Sequence, residues 1–322
     1  MSKSLAIIGA GVSGLTSAII FAERGYRASI FAEETAQRTT SAAAAALWYP
    51  YDAEPADKVI AWALETYQVL VDLSRDSHSG VSMIDLLQFS RTGEIEVPDW
   101  AIPIGAHHLS SIPGGVEPSL VVDPSVFKSC FAISVPLMDT SIYLDYLANR
   151  FEKAGGRING NVGFDNLEDV DPKFDLVINC SGVGARRLVR DTDLEPHRGQ
   201  VAIVPKIKDL HCAIVCDEPP LMYAIPRTQD CVFGGTNELS DNRDVDPTAT
   251  SRIVAECSRV LNVNRPQLLA ERVGLRPFRK TGVRIERERL RDGRSVIHNY
   301  GHGGSGFTLS WGCAREVVHL AG

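Results

Sequence analysis

Leu5-Ala6-Ile7-Ile8-Gly9-Ala10-Gly11-Val12-Ser13-Gly14 decides the fold. An apolar run meets three glycines spaced for a tight turn, and a helical pattern follows in which Leu15, Ala18, Ile19 and Ala22 share a face until Gly25. A second apolar run, Ala28-Ser29-Ile30-Phe31, leads to Glu33 and Glu34. Strand, glycine turn, helix, strand and acid make one βαβ unit, the setting in which this glycine spacing binds a dinucleotide. Gly9 permits the turn, Gly11 lets a pyrophosphate approach the backbone, and Gly14 lets helix and strand pack closely. The amides and positive dipole end at Val12 and Ser13 would face the phosphates. Glu33, with Glu34 behind it, is placed for a ribose diol and would repel a 2′-phosphate, which argues against NADP. NAD and FAD both stay open.

The chain of 322 residues has room for one large or two interleaved domains. Its net charge of −7 and lack of a basic run exclude a nucleic-acid or anionic-membrane surface. Seven cysteines, an odd number without a paired framework, read as reduced thiols, with Cys212 and Cys216 as small buried residues. No apolar stretch is long enough for a bilayer, and with the first strand starting near Leu5 and no peroxisomal tripeptide at the end, no targeting segment is expected. A cytoplasmic protein is expected.

Beyond the first unit, Thr39-Thr40-Ser41 is expected to cap a short alanine helix over Ala42 to Ala46 that Pro50 stops. Lys58 to Leu73 reads as a helix with Ile60, Leu64, Tyr67 and Val71 inward. Residues 81–135 suggest antiparallel strands. Tyr143 to Lys153 is a helix stopped by Gly155-Gly156, and Leu176-Val177-Ile178 is a strand that opens into Asn179-Cys180-Ser181-Gly182-Val183-Gly184. His197 to Val204, Met222 to Ile225 and Cys231 to Phe233 read as further antiparallel strands; Asp246-Pro247 starts another helix. Arg276, between Leu275 and Pro277, stands where a surface arginine is not expected. Ser295 to Tyr300 is a strand before Gly301-His302-Gly303-Gly304-Ser305-Gly306, a second glycine-rich turn leading to a helix from about Thr308. His298 and His302 are four apart but are carried into a turn rather than on a helix, a poor arrangement for a metal, and no metal site is expected.

Together these motifs, with Leu47-Trp48-Tyr49-Pro50, Arg198-Gly199-Gln200 and Trp311-Gly312-Cys313-Ala314, resemble the D-amino-acid oxidase family along nearly the whole chain. The resemblance implies FAD, held by a Rossmann-like α/β domain interleaved with an α+β substrate domain on a mixed or antiparallel sheet. The FAD domain would comprise 1–50, 145–190 and 268–322; the substrate domain would comprise 51–144 and 191–267. It places the ADP part on Ala10, Gly11, Val12 and Ser13, the ribose at Glu33 and Glu34, and phosphate at Thr39, Thr40 and Ser41. Ala45, Ala46 and Leu47 would border the isoalloxazine. Val162, Ser181 and Gly182 would line the adenosine side. Gly303, Gly304, Ser305, Gly306, Phe307 and Thr308 would face the flavin pyrimidine, with Arg276 beside it.

For the substrate, the resemblance assigns Tyr223 and Arg276 to the α-carboxylate and the Gly304 carbonyl to the amine. Leu47, Tyr49, Met222 and Ile225 would surround the side chain, favouring neutral and apolar D-amino acids. Asp217 to Met222 is shorter than the family's mammalian lid and lacks its second tyrosine, and Ser305 replaces an aromatic residue, so a wider pocket is expected. Arg227 reads as structural, with attraction of an acidic side chain as the alternative. The expected partners are a D-amino acid and molecular oxygen, without nucleic acid or membrane, and a homodimer stays open. D-aspartate oxidase and glycine or sarcosine oxidase are the alternatives within the fold. A NAD-dependent dehydrogenase should show repeated βα units after Phe31, and a flavin-binding regulator should lack Arg276.

Overall fold

A computed structural model describes residues 3–51, 53–109, 122 and 125–322. Two sheets organise it. In the six-stranded sheet the order is Arg284–Arg289, Ser295–Tyr300, Leu176–Asn179, Ser4–Ile8, Arg27–Ala32 and Arg157–Gly160. All neighbours are parallel except the first pair. Ser4–Ile8 is buried at every position, as expected of a parallel strand covered on both faces. The helix Val12–Glu23 buries Leu15, Ala18, Ile19 and Ala22, and Gly25 ends it at φ +83°. The C-terminal helix Gly306–Ala321 packs against that helix and against a third, Ala56–Leu73.

The second sheet has nine strands and is antiparallel except where Val81–Ser90 runs parallel to Ala213–Cys216. Its backbone is the long strand Leu194–Pro205, paired along its length with Ala270–Arg279. The segment 268–322 is thus shared: Ala270–Arg279 joins this sheet, whereas Arg284–Arg289 and Ser295–Tyr300 join the six-stranded one. Of the antiparallel stretch expected over 81–135, Val81–Ser90, His107–His108 and part of Ser129–Met138 are strands, while 110–121 and 123–124 lie outside the described residues.

Several local expectations shift. The alanine helix is a single turn, Thr40–Ala43, capped by the Thr39 hydroxyl, which accepts from the Ala42 N–H at 3.3 Å. Pro50 does not end it; Ala44 is already extended and Ala46 turns the chain at φ +57°. In Ala56–Leu73 the inward face is Val59, Trp62, Ala63, Thr66 and Leu70, with Ile60, Leu64, Tyr67 and Val71 half-buried beside it. The cause is the C-terminal helix: a Cβ on Gly312 would stand 2.3 Å from the Trp62 carbonyl oxygen, so the backbones touch and rotate that face inward. The helix Pro247–Val260 begins as expected, its Asp246 carboxylate accepting from the Thr248 N–H at 2.8 Å. All seven cysteines are buried thiols. Among the described residues no helix is long and apolar enough to cross a membrane.

Candidate active site

The first glycine turn has the geometry its spacing requires. Gly9 sits at φ +110°, and a Cβ there would lie 2.3 Å from the Cys180 carbonyl oxygen. Gly14 is closer still, 2.0 Å from the Gly9 oxygen. These two contacts weld helix Val12–Glu23 to the strand ends. Gly11 differs: its missing Cβ would meet only the Ser41 hydroxyl, at 3.0 Å. That hydroxyl accepts from the Val12 N–H at 3.0 Å, and no acidic side chain occupies the first turn.

Beyond the turn lies a cavity of about 590 Å³ between the two sheets. Every residue expected at the cofactor lines it, except Ser305. So do Tyr223, Arg276 and Gly304. Ser305 is instead fully buried, its hydroxyl donating to the Tyr51 carbonyl and accepting from the Tyr51 N–H at 2.7 Å. It therefore does not widen the pocket; it fixes the segment that carries Tyr51, whose ring covers Gly304. Thr308 holds Tyr49 in the same way, accepting from its N–H at 3.1 Å and donating to its carbonyl at 3.0 Å.

At one end Glu33 pairs with Arg187, and Glu34 with Arg243 at 2.8 Å. Both arginines line the cavity, and no motif in the sequence marks them. At the other end the Arg276 guanidinium lies over Gly199, where a Cβ would be 2.5 Å from Cζ and both terminal nitrogens. Its Nη1 donates to the Thr236 carbonyl at 2.9 Å and the Asn237 side chain at 3.3 Å. The Tyr223 ring rests on Gly234 and Gly235 in the same manner. Burial raises the Tyr223 pKa, opposed by the neighbouring Arg276 cation, so its phenol keeps its proton.

Strand alternation fixes the wall around these groups. Tyr223 and Ile225 face the cavity; Met222 and Ala224 face the opposite core, so Met222 is not a pocket residue. Leu47, Tyr49, Val215 and Leu221 complete the apolar wall, and Asp217 stands in it unforeseen. Burial raises the Tyr49 pKa, with Asp217 adding to the shift. Arg227 lies outside the cavity lining, its Nε and Nη2 held by Asp230 at 2.7 and 2.8 Å. Its side chain is 2% exposed and paired with Asp230.

His302 also lines the cavity. Asn299 Nδ2 donates to Ser17, leaving Asn299 Oδ1 at 3.0 Å to accept from His302 Nε2–H. Burial lowers the His302 pKa to about 4, so the ring is neutral. His298 is committed to Asn179 and Glu288.

The family described as FAD dependent oxidoreductase matches residues 4–320. The chain belongs to that family. Its sequence is 38% identical to a D-amino-acid oxidase of Rubrobacter xylanophilus, over 98% of this chain and 95% of that protein. It is 32% identical to human D-aspartate oxidase, over 98% of this chain and 94% of that protein. In fold it is similar to glycine oxidase from Geobacillus kaustophilus, with a TM-score of 0.82 at 17% identity, covering 99% of this chain and 95% of that one. FAD is the family's cofactor. The cavity of this FAD-dependent oxidoreductase suits it. Helix amides beside a glycine that leaves backbone open fit a pyrophosphate, carboxylates at one end fit a ribose, and Ala43 to Ala46 offer a surface without side-chain bulk.

Proposed function

We propose that this protein oxidatively deaminates D-amino acids, neutral and apolar ones above D-aspartate. The carrying observation is the Arg276–Tyr223 pair, seated on bare glycine backbone and facing the same cavity as the glycine-turn residues. A planar guanidinium matches a carboxylate in two bonds, and a neutral phenol adds a third. That pair would hold the α-carboxylate, and the Gly304 carbonyl would accept from the amine. Leu47, Val215, Leu221 and Ile225 exclude water from an apolar side chain, each buried methylene contributing about 0.8 kcal/mol. The name and 38% identity of the Rubrobacter relative support the same reading.

The residues expected at FAD, from Ala10 through Ser41 and from Gly303 through Thr308, would hold the cofactor, with Arg187 and Arg243 ordering Glu33 and Glu34. The chemistry supplied by bound FAD is acceptance of the Cα hydride and its return to oxygen as hydrogen peroxide; the imino acid released hydrolyses to a 2-oxo acid and ammonia. The chain's part is position and electrostatics. Among the described residues the apolar wall holds no cationic partner for a second substrate carboxylate, since Arg227 is bound to Asp230, which weighs against D-aspartate. We assign the six-stranded sheet and its helices to FAD and the nine-stranded sheet to substrate, and place the protein in the cytoplasm, in keeping with its buried, unpaired thiols.

Anaerobic addition of D-alanine to the yellow protein tests the reading. Bleaching by D-alanine and not by L-alanine is expected. Bleaching by sarcosine or glycine with none by any D-amino acid would replace it with the glycine oxidase alternative.

A further inference from the structure

Asp217 is a carboxylate in a pocket that the proposed reaction leaves otherwise apolar. It follows the strand Ala213–Cys216, in which Val215 pairs with Tyr223 across the sheet. Val215 and Asp217 line the cavity, while Cys216 between them is buried in the opposite core. Two residues along a strand advance about 7 Å, so Asp217 stands one side-chain length beyond the residue beside Tyr223.

The carboxylate is oriented but unneutralised. Gln88, buried on Val81–Ser90, donates Nε2–H to Asp217 Oδ2 at 3.0 Å. The other oxygen accepts no hydrogen bond from the described residues, and no lysine or arginine among them pairs with it. The loop behind it is held rigid. Glu218 accepts from the Ser90 hydroxyl at 2.6 Å and the Arg91 N–H at 2.7 Å, and Arg91 donates to the Pro220 carbonyl at 3.1 Å. Asp217 keeps an open surface, yet enough protein surrounds it that desolvation raises its pKa. A cation beside it would reverse that effect. Tyr49, close enough to feel its charge, adds an aromatic ring, the other group that holds ammonium and guanidinium ions.

We propose that Asp217 makes this a cation-accepting pocket, so that D-amino acids with an amino or guanidino group at the end of an apolar stem, such as D-lysine, D-ornithine and D-arginine, are preferred over uncharged isosteres. The inference rests on the reading that Arg276 and Tyr223 hold the α-carboxylate. The apolar wall takes the stem and Asp217 the charged end.

Two measurements test it. The first compares kcat/KM for D-lysine and D-norleucine in the wild-type enzyme and in Asp217→Asn. The ratio should favour D-lysine in the wild type and fall about tenfold in the variant, between the loss of an exposed pair and that of a buried one. Taking the ratio divides out any general loss of activity. An unchanged ratio would overturn the proposal while leaving the oxidase reading intact. The second, independent of the variant's folding, is calorimetric binding of 6-aminohexanoate and hexanoate to the wild-type holoenzyme. Tighter binding of 6-aminohexanoate is expected; equal affinity, or preference for hexanoate, overturns the proposal. Failure of D-alanine and D-lysine alike to reduce the flavin would count against the oxidase reading itself.

Discussion

The Arg276 guanidinium lies flat over the backbone of Gly199, with the place of a Cβ only 2.5 Å from Cζ, Nη1 and Nη2. The atoms that would be displaced are the far end of a flexible side chain. Gly199→Ala should therefore fold and bind FAD, yet move the guanidinium off the α-carboxylate. A displacement of about 1 Å can cost up to a hundredfold, so kcat/KM for D-alanine should fall roughly ten- to a hundredfold. Steady-state peroxide assays alongside a flavin absorbance spectrum decide it; wild-type efficiency would show that the glycine is not what seats Arg276.

Arg276→Leu removes the cation itself. Truncating one partner of a charge pair costs about 2–5 kcal/mol, or roughly thirtyfold to several thousandfold in kcat/KM. Tyr223→Phe removes a single neutral hydrogen bond and should be milder. Near-normal turnover of D-alanine by Arg276→Leu would refute the carboxylate assignment.

Gly11 and Gly14 should part company. Gly14→Ala puts a methyl 2.0 Å from the Gly9 carbonyl oxygen, where nothing can yield, and should not accumulate as folded protein. A side chain on Gly11 meets only the Ser41 hydroxyl at 3.0 Å before entering the cavity. Gly11→Val should purify folded and colourless by circular dichroism and absorbance. A yellow Gly11→Val protein would contradict the placement of the pyrophosphate.

Arg227→Ala breaks a two-bond pair with Asp230 in a site where the arginine is 2% exposed. Stability should drop by about 3 kcal/mol. The ratio of D-alanine to D-aspartate turnover should stay put. Selective loss of D-aspartate activity would revive the D-aspartate oxidase alternative.

His302 predicts a pH dependence. Unfolded, the ring takes a proton near pH 6.5; folded, burial delays this to about 4. Between those values the unfolded chain binds more protons, so the stabilisation is complete above pH 6.5 and is lost as pH falls toward 4. It amounts to at most about 3 kcal/mol. Denaturant melts of wild type and His302→Gln should show a shallower acid slope in the variant. Parallel slopes would mean that other groups carry the acid sensitivity.

The legible parts of this protein were the local ones. Gly9, Gly11 and Gly14 declare their turn through spacing alone, and Asp246-Pro247 declares a helix start. Met222-Tyr223-Ala224-Ile225 was a strand without a phase: four apolar residues give no hint of which alternate pair faces the cavity, and only pairing with Val215 sets it. Asp217, Arg187 and Arg243 give no signal of their own, because charges flanked by turns or by other charges read as solvated surface. Their meaning comes from partners far along the chain, such as Glu33 for Arg187. Ile60, Leu64, Tyr67 and Val71 are only half-buried for the same reason, since the helix that sets the inward face of Ala56–Leu73 comes last in the sequence.

The hydroxyls of Ser305 and Thr308 clasp the backbone at Tyr51 and Tyr49, 254 and 259 residues earlier. During synthesis the early wall of the cavity is thus made long before its fasteners. Until residues 305–308 leave the ribosome, the backbone at Tyr49 and Tyr51 is without these two clasps, and helix Val12–Glu23 lacks its C-terminal neighbour. A chain clipped before Ser305 is therefore expected to lose both that wall and the cavity-lining residues Gly306, Phe307 and Thr308.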